Sequence, residues 1–378
     1  MQSQGSGRVK RLAGYLKREP VLLASGALAL LSCCFVPPSA AYLAYIDWRT
    51  LGILFCLMAA VAGLSRAGAF TLLAQRLARR FHTVKAQALA LTLLCFFSSL
   101  WITNDVALIT FVPLTLLMLR EAGEGTRMYV VVMETIAANL GSVLTPFGNP
   151  QNLYIYGQYH LGAGEFFAVT APLWGMGLVL TAAALLLAPL PKTQGRIPDG
   201  ETDVHARRMG FFAALFGLSL LAVFRVLPWW AVLGVVCAAV CLLDRSVFRR
   251  IDYNLLATFV FFFILVGNLG QIEPVRETIS RLIGGREVLV SALVSQGISN
   301  VPAALMLSGF TENWRGLLMG VNVGGLGTWV ASMASLISFR LYARQEGART
   351  GRYLGIFLVC NMVGLGLLLG AAYLLGWR

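Results

Sequence analysis

The sequence predicts an all-α polytopic membrane protein built as two inverted repeats, each with a re-entrant helical hairpin and a broken transmembrane helix. Three observations carry this expectation. First, 58% of the 378 residues are hydrophobic and only 12% are charged, and the mean hydropathy is +0.74, values foreign to a soluble domain. Second, the stretch AANLGSVLTPFGNPQNLY, Ala137 to Tyr154, interrupts an otherwise apolar run. Pro146 and Pro150 each remove a backbone donor and Gly148 lets the chain turn between them, so the opened backbone must be packed in protein or line a wet cavity. Third, three short patterns recur in the same order in the two halves.

Taken in order, residues 1–19 form a basic N-terminal segment. Apolar windows of about twenty residues predict spans near 20–39, 49–66, 128–156, 164–190, 209–226, 228–243, 251–272, 314–342 and 352–377. The first is read as a span and not a removed signal, because no small-residue cleavage site follows a short apolar core. The apolar stretches 84–119 and 288–310 are interrupted at Thr103-Asn104-Asp105 and Ser299-Asn300, and predict the two hairpins. The amphipathic segments Thr71 to Phe81, with Arg76, Arg79 and Arg80, and Pro274 to Ile283, with Arg276 and Arg281, precede them and are expected along the membrane surface. Residues 191–208, the only long polar connection, form a linker between repeat 1 (20–190) and a second half (209–378), in which an extra span precedes repeat 2.

The net charge of +13 would suit nucleic acid only if it lay on one face. Instead, 23 of the 30 Lys and Arg residues fall in segments that this layout places on one side. That asymmetry predicts a cytoplasmic N-terminus, an outside C-terminus and the lipid bilayer, not nucleic acid, as the large-scale partner. Short connections suggest a bacterial cytoplasmic membrane. The seven cysteines lie in apolar windows without a CxxC spacing and read as small core hydrophobes.

The repeats rest on three matches. Ile46-Asp47-Trp48 recurs as Ile251-Asp252-Tyr253, and Ile102-Thr103-Asn104 as Ile298-Ser299-Asn300. Asn139-Leu-Gly-Ser-Val-Leu-Thr145 recurs as Asn322-Val-Gly-Gly-Leu-Gly-Thr328, an N-x-G-x-x-x-T pattern. The unpaired span near 209–226 inverts the second copy relative to the first, an arrangement that implies alternating access around a central site.

The segments TNDVALITFVPL (103–114), AANLGSVLTPFGNPQN (137–152) and SNVPAALML (299–307) resemble the ion transporter superfamily. Its members include citrate and dicarboxylate carriers, arsenite efflux permeases and sodium/proton antiporters, and the nearest resemblance is to citrate-transporter-like anion permeases of bacteria. It covers nearly the whole chain from the first span onward. The resemblance implies hairpin tips that meet the broken helices near the membrane centre, substrate between them, coupling cations held by tip and break, and, as in many members, a homodimer.

The residue types agree with that assignment. Hairpin tips expose free helix-end amides and carbonyls, and neutral oxygens suit hard cations such as sodium. Substrate contacts are expected from Thr103, Asn104, Asn149, Pro150, Asn152, Ser299, Asn300 and Thr328; cation coupling is expected from Asn104, Asp105, Glu134, Thr145, Gly148, Asn149, Asn300 and Asn322. Ser332 and Ser335 add further oxygens. The bland alternative is that these groups merely bond neighbouring helices or cap broken ends. Asp105 and Glu134 are ionisable at membrane depth and could each carry a proton or bind a cation; otherwise Asp105 caps the tip, and Glu134 snorkels toward Arg127. The second break lacks both prolines and has no GNPQN counterpart, which leaves a second cation site open. Asp47 and Asp252 read as caps, and Trp229, Trp230, Trp314 and Trp377 as interfacial belt residues.

The expected function is a secondary carrier moving a small anion, a carboxylate, coupled to Na+ or H+, with no further cofactor. No Lys or Arg stands in either tip or break. That absence equally suits an arsenite efflux permease or a Na+/H+ antiporter. A membrane enzyme is disfavoured: HExxH is absent, no acidic cluster suits magnesium, and His82, His160 and His205 all fall in predicted loops, so no metal site is expected.

Overall fold

The computed structural model describes residues 20–191, 193 and 205–377. The basic segment 1–19 and most of the 191–208 linker lie outside them. Before the linker the helices are α1 (Pro20–Ser32), α2 (Tyr42–Tyr45), α3 (Trp48–Arg66), α4 (Ala69–Arg80), α5 (Val84–Ile102), α6 (Asn104–Met118), α7 (Glu124–Gly141), α8 (Pro150–Gln158) and α9 (Ala163–Leu187). After it come α10 (Ala206–Val223), α11 (Trp229–Leu243), α12 (Tyr253–Gln271), α13 (Glu273–Ile283), α14 (Glu287–Ile298), α15 (Asn300–Leu307), α16 (Trp314–Val323), α17 (Met333–Ala343) and α18 (Thr350–Leu374). Six of these described helices, α3, α5, α9, α10, α12 and α18, are long and apolar enough to cross a membrane. The protein is therefore all-helical and polytopic.

The predicted span 20–39 is shorter than expected, with α1 ending at Ser32. Pro37 and Pro38 lack amide donors and hold the residues before them extended, so the helix cannot continue through them. Helices α3 and α12 begin on the expected aspartate caps: Asp47 accepts from the Thr50 amide and Asp252 from the Leu255 amide, each at 3.0 Å. Helix α1 packs on α12, while α10 and α11 pack on α3. Trp229 is no lipid-facing belt residue, because its ring lies against Gly52 of α3, where a Cβ would approach it to 2.8 Å.

Two hairpins and two broken helices fill the rest. A single residue separates α5 from α6 and α14 from α15, and each is held in an unusual backbone conformation: Thr103 at φ 65°, ψ 151° and Ser299 at φ 79°, ψ 152°. Positive φ is costly for a side chain with a Cβ, yet both turns use it. Helices α7 and α8 form one broken pair, interrupted between Gly141 and Pro150; α16 and α17 form the other, interrupted between Val323 and Met333.

Each broken helix presses on the first arm of its hairpin. A Cβ on Gly141 would lie 2.0 Å from the Phe96 carbonyl oxygen of α5, and one on Gly320 would lie 1.9 Å from Ser291 Oγ of α14. Inside a bilayer, such backbone proximity replaces the hydrophobic drive that holds soluble helices together.

Charged side chains tie off the helix ends. Arg66 pairs with Asp244 at 3.3 Å and Arg349 with Glu124 at 3.2 Å, both between segments the sequence places on the same side. At the opposite ends, Arg49 donates to the carbonyls of Ala222 and Val223, and Arg225 to those of Tyr156 and Leu161.

Candidate substrate and ion site

The two hairpin tips share one side-chain-to-amide bond. Asn104 Oδ1 accepts from the amide of Asp105 at 2.9 Å, and Asn300 Oδ1 from the amide of Val301 at 3.0 Å. The threonine that ends each N-x-G-x-x-x-T pattern fastens its break to its own hairpin: Thr145 Oγ1 donates to the Leu100 carbonyl and Thr328 Oγ1 to the Gln296 carbonyl, both at 2.8 Å. Leu100 and Gln296 each stand three residues before the turning residue. Matching sequence positions thus make matching bonds.

The first asparagine of each pattern reaches across to the other half. Asn139 Oδ1 accepts from Asn104 Nδ2 at 3.0 Å and from Ser332 Oγ at 2.9 Å, while its Nδ2 donates to the Gly325 carbonyl at 3.3 Å. Asn322 Nδ2 donates to Asn152 Oδ1 at 2.8 Å. Asn152 Nδ2 in turn satisfies the carbonyls of Val143 and Thr145, opened by the missing helix turns. All of these side chains are buried. The first tip and the two breaks therefore form one polar junction, and the Asn300 amide, donating to the Ala331 carbonyl at 2.9 Å, ties the second tip to it.

Two acceptors at this junction are left over. Asn149 gives its Nδ2 to Ser142 Oγ at 2.7 Å, but its buried Oδ1 has no hydrogen-bond partner. Asp105 Oδ1 is likewise buried without one. The alternative reading of Asp105 as a cap at the tip is not met: there it is Asn104 Oδ1 that holds a backbone amide, that of Asp105. Gly148 sits where a Cβ would come within 2.2 Å of the Ser142 carbonyl oxygen, so the break closes this tightly only with glycine. A cavity of about 180 Å³ reaches the junction, bounded there by Thr103, Asp105, Pro150 and Met333 and on its far wall by Arg250 and Asp252. The remaining wall is mainly apolar, with Leu54, Leu57 and Val61 of α3.

Glu134 stands apart from this group. It is wholly buried, with no route to the boundary, so it neither snorkels nor pairs with Arg127. Its Oε1 accepts from Thr115 Oγ1 at 2.5 Å, and its Oε2 has no partner. Thr115 lies eleven residues along α6 from Asn104, about 16 Å at helical rise. Glu134 therefore links α7 to the second hairpin arm and does not reach the tips.

Sequence reasoning missed Thr115, Ser142, Gln151 and Gln296. Gln296 is the most consequential: its Nε2 donates to the carbonyls of Gly324 and Leu326 at 3.0 Å, and its Oε1 accepts the Thr328 amide at 2.8 Å. It satisfies the second break as Asn152 satisfies the first. The signal was present, since Gln296 is the one amide side chain in a mainly apolar hairpin arm.

Six apolar crossings, two hairpins and two broken helices meeting at a buried polar junction define a membrane transporter. The chain belongs to the citrate transporter family (CitMHS), whose sequence profile matches residues 15–313. It is 34% identical over 315 residues to the inner membrane protein YbiR of Escherichia coli, covering 81% of this chain and 82% of that one. An uncharacterized transporter of Methanocaldococcus jannaschii is 32% identical over 328 residues, covering 85% and 88%. In fold, the chain is similar to the crystal structure of the Alcanivorax borkumensis YdaH transporter, described as having an unusual topology, with a TM-score of 0.53, 15% identity and coverage of 89% and 88%.

Proposed function

We propose that this transporter is a secondary carrier that moves a small anion, a carboxylate, by alternating access, coupled to Na+ or H+, in a bacterial cytoplasmic membrane with its N-terminus in the cytoplasm. The observation that carries the reading is the polar junction itself. Two hairpin tips with the same side-chain-to-amide bond and two breaks with the same threonine anchor behave as the halves of an inverted repeat. The helix-end amide at Asn104 supplies a donor for an anion, while that of Asn300 is held by the Ala331 carbonyl, and the partnerless oxygens of Asn149 and Asp105 supply acceptors for a cation. Thr103, Pro150, Asn152, Ser299 and Thr328 frame the space between. Glu134, remote from the tips, suits a proton more than a cation shared with substrate. A homodimer is the expected assembly.

The second reading is efflux of a neutral oxyacid such as arsenite, or Na+/H+ exchange with Asp105 as ion carrier. It is favoured by the absence of Lys and Arg from both tips and both breaks. Thermal stability of the purified protein against citrate, succinate, malate, sulfate, arsenite and sodium, across pH, separates the two. A ligand bound only by the folded state raises the apparent Tm by mass action. A rise with a carboxylate, larger with sodium or at low pH, is the expected result; a response to sodium or pH alone overturns the carboxylate.

A further inference from the structure

A second cavity lies apart from the one at the tips. It measures about 690 Å³ and opens where α6 ends, between Leu116 and Leu117 on one side and Arg120, Arg127, Gln345 and Glu346 on the other. Its place follows from helical periodicity. Along α6, the tip cavity is lined by Asp105, Val106 and Ile109, and the larger one by Pro113, Leu116 and Leu117, with Arg120 one turn on. Steps of three and four keep all of these on one face. Along α17, Met333 and Ile337 line the first cavity, and Gln345 and Glu346, in the chain just past the end of α17, line the second. Helices α6 and α17 pack together. Both cavities therefore lie on one seam, which runs from a wide mouth at Arg120 to the hairpin tips, about 24 Å away at helical rise.

The mouth is electropositive. Segments 119–127 and 340–352 bring six arginines and three glutamates to this end. Glu124 is bonded by Arg349 at 3.2 Å and by the Tyr342 hydroxyl at 3.0 Å, and the Arg127 charge also acts on its carboxyl. Glu346 is exposed and lines the cavity as its one acid. Arg127 has its Nε buried with no hydrogen-bond partner, a costly state for a guanidinium donor unless something accepts from it. The inner end of the seam carries Asp105, Arg250 and Asp252, so the net attraction for an anion is strongest at the mouth.

We propose that Arg120 and Arg127 form an entrance site for a soluble carboxylate or phosphate anion, which concentrates substrate at the mouth before it moves along the seam to the junction. The inference rests on the reading of the chain as an anion carrier and adds the residues that select for charge. It also accounts for tips and breaks without basic side chains: selection by charge happens one step earlier, where release is easy. Water-walled cationic mouths raise local anion concentration and on-rate, and lose that advantage in salt.

The test reads the local potential and needs no transport. Leu117→Cys, half-exposed at the mouth, is placed in phosphatidylcholine nanodiscs and reacted with a sulfonate-bearing or a trimethylammonium-bearing methanethiosulfonate. Peptide-resolved mass spectrometry separates this thiol from native Cys34 and Cys241. The expected result is a sulfonate preference that falls about fivefold when Arg120→Gln and Arg127→Gln are added, together with slowing of the sulfonate reaction by millimolar citrate or inorganic phosphate. An unchanged preference in the double variant overturns the proposal. So does a difference between parent and double variant that vanishes in phosphatidylglycerol nanodiscs, for then a lipid headgroup fills the site. If the carboxylate reading fails in the thermal panel, the potential at the mouth remains measurable, so the two failures are distinguishable.

Discussion

Asn139 shows what one side chain can hold together. It accepts from Asn104 and Ser332 and donates to the Gly325 carbonyl, so it joins one hairpin tip to the opposite break. Asn139→Ala takes their partner from the buried Asn104 Nδ2 and Gly325 carbonyl, while Ser332 Oγ keeps the Ala334 amide, at about 1–3 kcal/mol for each group left unsatisfied. The expected outcome is a fall in apparent Tm of several degrees and transport below a tenth of wild type, measured on protein that still elutes as a folded species. Glu134→Gln is a different experiment, because glutamine can still accept from Thr115. It should keep the fold, retain substrate-dependent thermal stabilisation, and flatten the pH profile of transport; an unaltered profile would remove Glu134 from coupling.

At the scale of elements, function depends on how closely broken helices lie against hairpins. Gly141→Ala would drive a methyl into the Phe96 carbonyl and Ser99 Oγ, neither of which can swing away as a long side chain could. Separation of α5 from α7 at about 1–3 kcal/mol is expected, and with it loss of the Thr145 anchor to Leu100. Thermal unfolding alongside ligand stabilisation checks this: both should drop together. A second element-scale effect lies at the helix end outside the membrane. Burial pushes the Glu124 carboxyl up, but the Tyr342 hydroxyl, the Arg349 amide and the Arg349 guanidinium outweigh it and hold the group below its ordinary value of 4.5. A carboxyl depressed in the folded state stabilises above its unfolded pKa, and that contribution disappears as pH falls through the folded value. The apparent Tm of wild type should therefore decline below about pH 4.5 more steeply than that of Glu124→Gln.

Across the whole molecule, the seam between α6 and α17 faces α3 and α12, so the cavity at the tips has one wall on the first hairpin and the other on α3 and the start of α12. The proposed alternating-access cycle would need this wall to close. A cysteine at Ile109, which is 55% exposed on the seam, should react readily with a soluble thiol reagent and slow severalfold when the coupling ion and a stabilising carboxylate are both present. No change under ligand concentrations that raise Tm would argue against closure over this wall.

The sequence by itself determined the class of fold, the two tips, the two breaks and most of the polar residues that meet there. Proline and glycine act through the backbone of their own residue and the one before, and hydropathy acts over a single window, so Pro146, Gly148, Pro150 and the interruptions at Thr103 and Ser299 are legible locally. The same locality makes the recurring patterns of the two halves visible, since they return in matching order. What tertiary structure alone decided is which partner each polar atom finds. Asn139 bonds a residue 193 positions away and Gln296 closes a break 28 positions on, pairings set by how helices cross and not by anything within either segment. Glu134 makes the same point: its depth along α7 is readable, but whether it turns to the boundary or to Thr115 depended on the packing of α6 against α7.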